Sequence, residues 1–201
     1  MSITNYSELQ TAVASWLNRS DLTANITDFI TLAEAQLSAE VQGRLMDTKT
    51  TLSTVIGVNT VALPTDMLEM RRFVVAGAGD QPLSYRTPDE ISVEFPNDYA
   101  GQPIVFTVIG ANAELSPIPD AVYSLELTYR QRIPALSVSN TTNWLLTNWP
   151  NAYLYACLLA AAPFIMNDER LSVWAQLYSQ AITGINNVDW YSGTTMKVSA
   201  R

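Results

Sequence analysis

Few side chains in this 201-residue chain are equipped for bond-breaking chemistry. There is no histidine, and Cys157 is the single cysteine. Zinc needs clusters of His, Cys and carboxylate ligands, so this residue set excludes it, and a catalytic thiol would lack its usual imidazole base. Cys157 sits in the apolar run Tyr153–Met166 and reads as a small buried hydrophobe. One cysteine allows no disulfide within the chain, which fits synthesis in a reducing compartment. Asp168-Glu169 is the densest acidic pair near a helix start; it reads as a cap and dipole complement before it reads as a metal site. Gly77-Ala-Gly79 is followed by Asp80 and Gln81, not by a further glycine and a helix, so it is a hairpin tip and not a phosphate cradle. Calcium around Asp80 has no motif behind it, and nothing picks a catalytic pair out of 19 acidic residues. No catalytic residue, metal or cofactor is expected. The chain reads as an assembly part, not an enzyme.

Other residue types suit contacts between proteins. Arg71 and Arg72 fall on a predicted strand, where alternation would point them to opposite faces, while Arg130 and Arg132 share one face. They suit acidic patches on a neighbouring subunit, or ordinary cross-strand pairing with Glu69 or Glu126. Trp144 and Trp149 flank the start of the long helices, as core plugs or as interface anchors. Beyond the last predicted helix come Trp190, Tyr191 and Met196, of interface character, and Lys197 and Arg201, basic in an acidic chain. This end is either a docking segment that orders on assembly or a frayed terminus.

The net charge is −8, from 11 basic and 19 acidic residues. A nucleic-acid reader needs a basic footprint to release counterions, so that class is disfavoured. An acidic wall repels phosphate, and DNA could slide past it without sticking. Charged residues make up only 15% of the chain, with five Trp and nine Tyr present. Either a partner covers part of the surface, or Ser, Thr and Asn make it polar. The N-terminus lacks a signal-peptide pattern. The longest apolar run, 153–166, is shorter than the roughly 20 residues of a membrane span and contains Pro163. The expectation is a soluble protein, made in the cytoplasm, without a membrane partner.

The period of the apolar pattern changes twice along the chain. Asn5 and Glu8 cap a helix over about 6–18, with Leu9, Val13, Trp16 and Leu17 on its stripe. Asn25 and Asp28 repeat the cap before a stripe of Ile26, Phe29, Ile30, Ala33, Leu37 and Val41, ended by Gly43. The short link predicts an antiparallel pair. From 45 to 132 short strands alternate with Gly, Pro, Asn and Asp turns, and Pro88 opens one short helix. Tyr123–Arg132 is the clearest strand. After a polar linker over 134–143, Pro150 starts a helix to about Met166, and Asp168 caps a last helix reaching Val188. The predicted class is α+β: an antiparallel helical bundle formed by both chain ends (1–44 and 143–190), an inserted, mainly antiparallel β domain (45–142) and a C-terminal tail (191–201).

This order of segments resembles the head-to-tail adaptor proteins of tailed bacteriophages. The likeness is carried by Tyr6–Leu22, Phe29–Leu37, Leu63-Pro-Thr-Asp66, Leu125–Arg130, Asn143-Trp-Leu-Leu146 and Asp168-Glu-Arg-Leu171, and covers nearly the whole chain. It implies a non-enzymatic virion protein of the neck, between head and tail. Such adaptors form a homo-oligomeric ring, usually a dodecamer, that binds the portal protein, extends the DNA channel and docks tail or nozzle proteins. DNA would pass through without specific binding. The helical part is the family's common body and the β part varies. Two alternatives remain at this point: another virion component, of the tail tube or tail completion, or a carbohydrate-binding module using Tyr85, Phe106 and Tyr129.

Overall fold

The structure is a computed structural model that describes residues 3–19, 21–77, 79–95, 99–165 and 169–188. It is an α+β protein whose chain forms two compact units. One takes the residues up to Met46 and from Ile133 onward, and the other is Asp47–Arg132.

The first unit is helical. α1 (Tyr6–Leu17) starts where Asn5 Oδ1 accepts the Glu8 N–H, and ends where Asn18 adopts the left-handed conformation. α2 (Ile26–Glu40) follows a 3-10 turn over Thr23–Asn25; Asn25 itself is helical and makes no side-chain cap, contrary to expectation. A short α4 (Trp144–Asn148) is capped by Asn143. α5 (Pro150–Ala160) stops earlier than the apolar run suggests, because Pro163 cannot continue it and instead opens a 3-10 turn, Ala162–Phe164. α6 (Arg170–Val188) closes the unit.

The expected antiparallel bundle of the two chain ends is not what forms. Six helices of very unequal length are present among the described residues, one of them, α3 (Pro88–Glu94), in the other unit. The predicted α1–α2 pair is a minor contact. α2, α6 and α1 each pack mainly on α5. The cause lies in α5, whose sequence Pro-Asn-Ala-Tyr-Leu-Tyr-Ala-Cys-Leu-Leu-Ala has no polar face. A helix apolar all round must be covered all round. Ala152, Tyr153, Leu154, Ala156, Cys157 and Leu158 are therefore buried in succession, and one-striped helices gather around them. Trp16 is a second correction. The buried stripe of α1 is Leu9, Ala12, Val13 and Leu17, which leaves Trp16 on its flank, 42% exposed and edge-on to Tyr155.

The second unit is built from two four-stranded sheets and a two-stranded one. The first sheet runs β1-β10-β3-β4, from β1 (Asp47–Ser53), β10 (Ser124–Gln131), β3 (Met67–Val75) and β4 (Gln81–Pro82). The second runs β2-β8-β7-β5, from β2 (Thr60–Ala62), β8 (Asn112–Ser116), β7 (Val105–Ile109) and β5 (Ser84–Tyr85). β6 (Ala100–Gly101) and β9 (Ile118–Pro119) pair in parallel. One core takes Phe73, Val75, Leu125, Leu127 and Tyr129 from the first sheet and Val61, Phe106, Ala113 and Leu115 from the second. The stretch 81–86 is shared between the two sheets. Pro82 has no N–H for a ladder, and after Leu83 the chain leaves the first sheet for the second. The β7–β8 hairpin turns at Gly110-Ala111. There Gly110 alone takes a positive φ, the arrangement that matches strand twist in a two-residue loop.

Candidate assembly surfaces

β10 alternates as predicted: Leu125, Leu127 and Tyr129 are buried, and Glu126, Thr128 and Arg130 face outward. Register carries this outward face across the sheet, to Asp47, Lys49 and Thr51 on β1 and to Glu69 and Arg72 on β3. Arg71 joins them. The register slips between Thr128 and Tyr129, so that Arg71 is an extra residue opposite no partner. Such a bulge breaks the strict alternation of β3. Arg71 and Arg72 therefore share the outward face instead of pointing apart. Arg71 lies 3.0 Å from Glu69 and 3.6 Å from Asp47, and Arg72 lies 3.9 Å from Asp80. Glu126 pairs with Lys49. Arg132 is exposed just past β10, where its backbone N–H donates to the Asp66 carbonyl. The Asp66 carboxylate accepts from Tyr129 Oη at 3.1 Å and Gln131 Nε2 at 2.6 Å.

An open hollow of about 490 Å³ adjoins the two arginines, with Phe73, Leu83 and Phe106 as its apolar floor. Phe106 stands edge-on to Phe73 and to Tyr85, at 5.2 and 5.7 Å. Of the three aromatics proposed for a sugar platform, Phe106 and Tyr129 are core residues and Tyr85 alone is exposed. The carbohydrate alternative loses its motivating feature.

In the helical unit, Trp144 and Trp149 meet edge to face at 6.1 Å and pack on the helical core. Arg170 lies 4.9 Å above the Trp174 ring and donates to the Trp16 carbonyl. The most polar feature is internal. Glu34 is buried, and its Oε1 accepts the Leu136 N–H at 2.7 Å and the Tyr153 hydroxyl at 3.2 Å. Asn143 Nδ2 donates to Tyr153 Oη and to the Pro134 carbonyl, while its Oδ1 caps α4. Ser38 Oγ accepts from the Ile133 N–H. Together these bonds fasten the returning segment 133–143 onto α2. Sequence reasoning missed this network, although a signal was present: Glu34 and Ser38 stand four and eight residues after Ile30, on the apolar face of α2.

Burial pushes the Glu34 carboxyl above its ordinary value, against the lowering effect of its two hydrogen bonds. Burial and the Glu34 charge push the Tyr153 phenol and the Cys157 thiol far up. The thiol is thus kept protonated and is no nucleophile. Tyr178 is likewise raised, by burial and by donating to Glu40 at 2.8 Å. Among the described residues, no group of three His, Cys, Asp or Glu side chains is placed to hold a metal, and no helix is long and apolar enough to cross a membrane.

Residues 4–198 match the family described as SU10 adaptor protein. The chain belongs to this family. It is a phage head-to-tail adaptor family, so the chain is a structural adaptor protein of the phage virion, as the resemblance implied. No curated protein matches the chain. The SU10 adaptor match includes most of the predicted tail, but Trp190, Tyr191, Met196, Lys197 and Arg201 lie outside the described residues, as does the expected cap Asp168.

Proposed function

We propose that this adaptor works as a ring of identical copies, twelve in the usual case, seated between the portal and the tail. The ring extends the DNA channel and offers the tail its docking surface, with no enzymatic step. The observation that carries this reading is the match to a head-to-tail adaptor family over nearly the whole chain. The chain's −8 charge supports a passive channel, because the charge is multiplied around a ring and DNA is held off the wall. The helical part, 1–44 and 143–190, serves as the ring's body. The β part, 45–142, carries docking surface: Val93, Tyr99, Val108 and Ile109 are all exposed there. Arg72 and Arg132 meet acidic patches of a neighbouring protein, and residues 191–201 dock on assembly.

Particle images of the purified protein mixed with its portal test the reading. A ring added to the portal is expected, and portal particles that remain bare overturn it. In gel-shift assays at low salt no tight DNA complex should form. Submicromolar binding that weakens steeply with salt would contradict the passive channel.

A further inference from the structure

β1 is an edge strand of unusual openness. Over Asp47–Ser53 it pairs with β10 and with no other described strand. The Thr54 N–H donates to the Tyr123 carbonyl, which fixes the phase of the ladder. In an antiparallel pair alternate residues turn their N–H and C=O toward the partner. Thr48, Thr50 and Leu52 therefore face β10, and the backbone groups of Asp47, Lys49, Thr51 and Ser53 point away from it. No hydrogen bond to these four outward N–H or C=O groups occurs among the described residues. Edges of this length are normally blunted by proline, a bulge or charged side chains; the charges of β1 are Asp47 and Lys49, both paired on the outward face with Arg71 and Glu126. β1 has no proline, its register with β10 is unbroken, and its sequence, Asp-Thr-Lys-Thr-Thr-Leu-Ser, is rich in strand-forming threonine.

The end of the chain has a matching pattern. Residues 194–199 read Thr-Thr-Met-Lys-Val-Ser: Thr194, Met196 and Val198 alternate with Thr195, Lys197 and Ser199. This is a period-2 strand pattern with an apolar side and a polar side. Six residues at about 3.3 Å each span about 20 Å, close to the length of β1. The segment after Asp189 contains no acid and two basic residues. The outward face beside β1 carries Asp47, Glu69 and Glu126 together with Lys49, Arg71, Arg72 and Arg130, so its charge is mixed and the fit of the segment rests on its strand pattern and length. Met196 and Val198 would extend the row of Thr50 and Leu52, and Lys197 would join the charged face.

We propose that the free edge of β1 takes residues 194–199 of a second copy of this chain as an added strand. The contact is head-to-tail: each copy gives one strand and receives one, which closes into a ring where the rotation allows. Main-chain hydrogen bonds supply the contact and alternate side chains its register. The proposal rests on the ring reading above and names its joint.

Two full-length variants, Thr51→Cys and Lys197→Cys, are mixed under mild oxidation; buried Cys157 stays out of the reaction. A disulfide-linked dimer is expected in the mixture and not in either variant alone. In the assembled wild-type protein the Lys49 and Thr51 amides should exchange at least tenfold more slowly than in the dispersed one. Lys49→Pro, made in the Thr51→Cys chain and in the wild type, removes an outward N–H and spares the β10 ladder, so it should abolish the cross-link and the protection of the Thr51 amide. Met196→Pro should do the same without touching the folded units. If rings form but lack the disulfide and the protection, or survive both proline variants, the inference is overturned and the ring reading stands. A disulfide and protection without any ring uphold the strand pairing and overturn the ring. A protein that neither assembles nor cross-links overturns both.

Discussion

The helical unit buries one acid, Glu34, and the β unit buries none among the described residues. Glu34 lies beneath α5 and is satisfied by a phenol and a backbone N–H. The β unit carries Asp47, Glu69 and Glu126 on a solvated face, each opposite a lysine or arginine. Secondary structure explains the contrast. Strand alternation throws every second residue outward, so charge and core separate without further provision. A helix packed against an all-apolar neighbour has a broader buried arc, and a polar residue on that arc must find partners inside. One unit is thus held by a core with a specific internal lock. The other keeps its charges paired on the sheet face away from its core.

The largest expected effect breaks the helical side of this contrast. Leu158 is fully buried on α5, where α2 and α6 both pack. Leu158→Ala should cost about 2–5 kcal/mol, the range for a cavity in a rigid core. All of the chain's tryptophans lie outside 47–132, so urea unfolding followed by tryptophan fluorescence reports on the helical unit. A loss under about 1 kcal/mol would show that α5 is not the hub.

The second prediction concerns the lock. Tyr153→Phe removes the phenol that donates to Glu34 and accepts from Asn143, and should cost about 1–3 kcal/mol through unpaired buried groups. It should also steepen a pH dependence. The folded-state value of Glu34 is raised above 4.5. Its contribution to stability is therefore complete below that pH and is lost as pH rises through the folded value. Glu90, the exposed capping-box acid of α3, is lowered by the Thr87 N–H and hydroxyl, so its contribution is present above 4.5 and fades in acid. Glu8 and Asp21 of the helical unit are lowered in the same way as Glu90, so the Glu34 contribution is read by difference from its own variant. Glu34→Gln should remove the loss of stability that sets in above about pH 4.5, and a loss of the same size in the variant would assign it to another group.

Much of this could be read in the sequence, and the failures share a cause. Stripes at helical spacing placed α1, α2 and α6, and β10 followed its alternation residue by residue. What periodicity could not say was which helix lies at the centre, because α5 has no stripe to orient it. Nor could it show the bulge at Arg71, since one inserted residue leaves the composition of β3 unchanged while rotating half its side chains. Asn143, read as the end of a polar linker, caps α4, and its second role depends on Tyr153, ten residues away, and on Glu34 beyond that. Contacts so distant in sequence leave no local mark.

Trp16 offers a smaller test. A buried aromatic truncated to alanine costs about 3–5 kcal/mol, but Trp16 sits on the flank of α1 and touches Tyr155 by one edge. Trp16→Ala should cost about 1 kcal/mol, measured in the same urea experiment. A cost near that of Leu158→Ala would return Trp16 to the core.

The smallest effect belongs to the charged face. Arg71 bridges Asp47 and Glu69, all three side chains more than a third exposed. Ion pairs in water of this kind lose most of their attraction to solvent and to side-chain entropy, so Arg71→Ala should change stability by no more than about 0.2–1 kcal/mol. Amide hydrogen exchange of β1, β3 and β10 suits the measurement, since the β unit has no tryptophan and most of the chain's tyrosines lie outside it. The value of the variant lies in that smallness. If the outward face only keeps the sheet soluble, Arg71→Ala should assemble like the wild type at every salt concentration. If the face meets an acidic neighbour, Arg72→Glu together with Arg132→Glu should weaken assembly at low salt, and the gap should close at high salt as screening removes it. Equal assembly by all three proteins would leave the solvated-face reading standing and confine the contact to the strand edge.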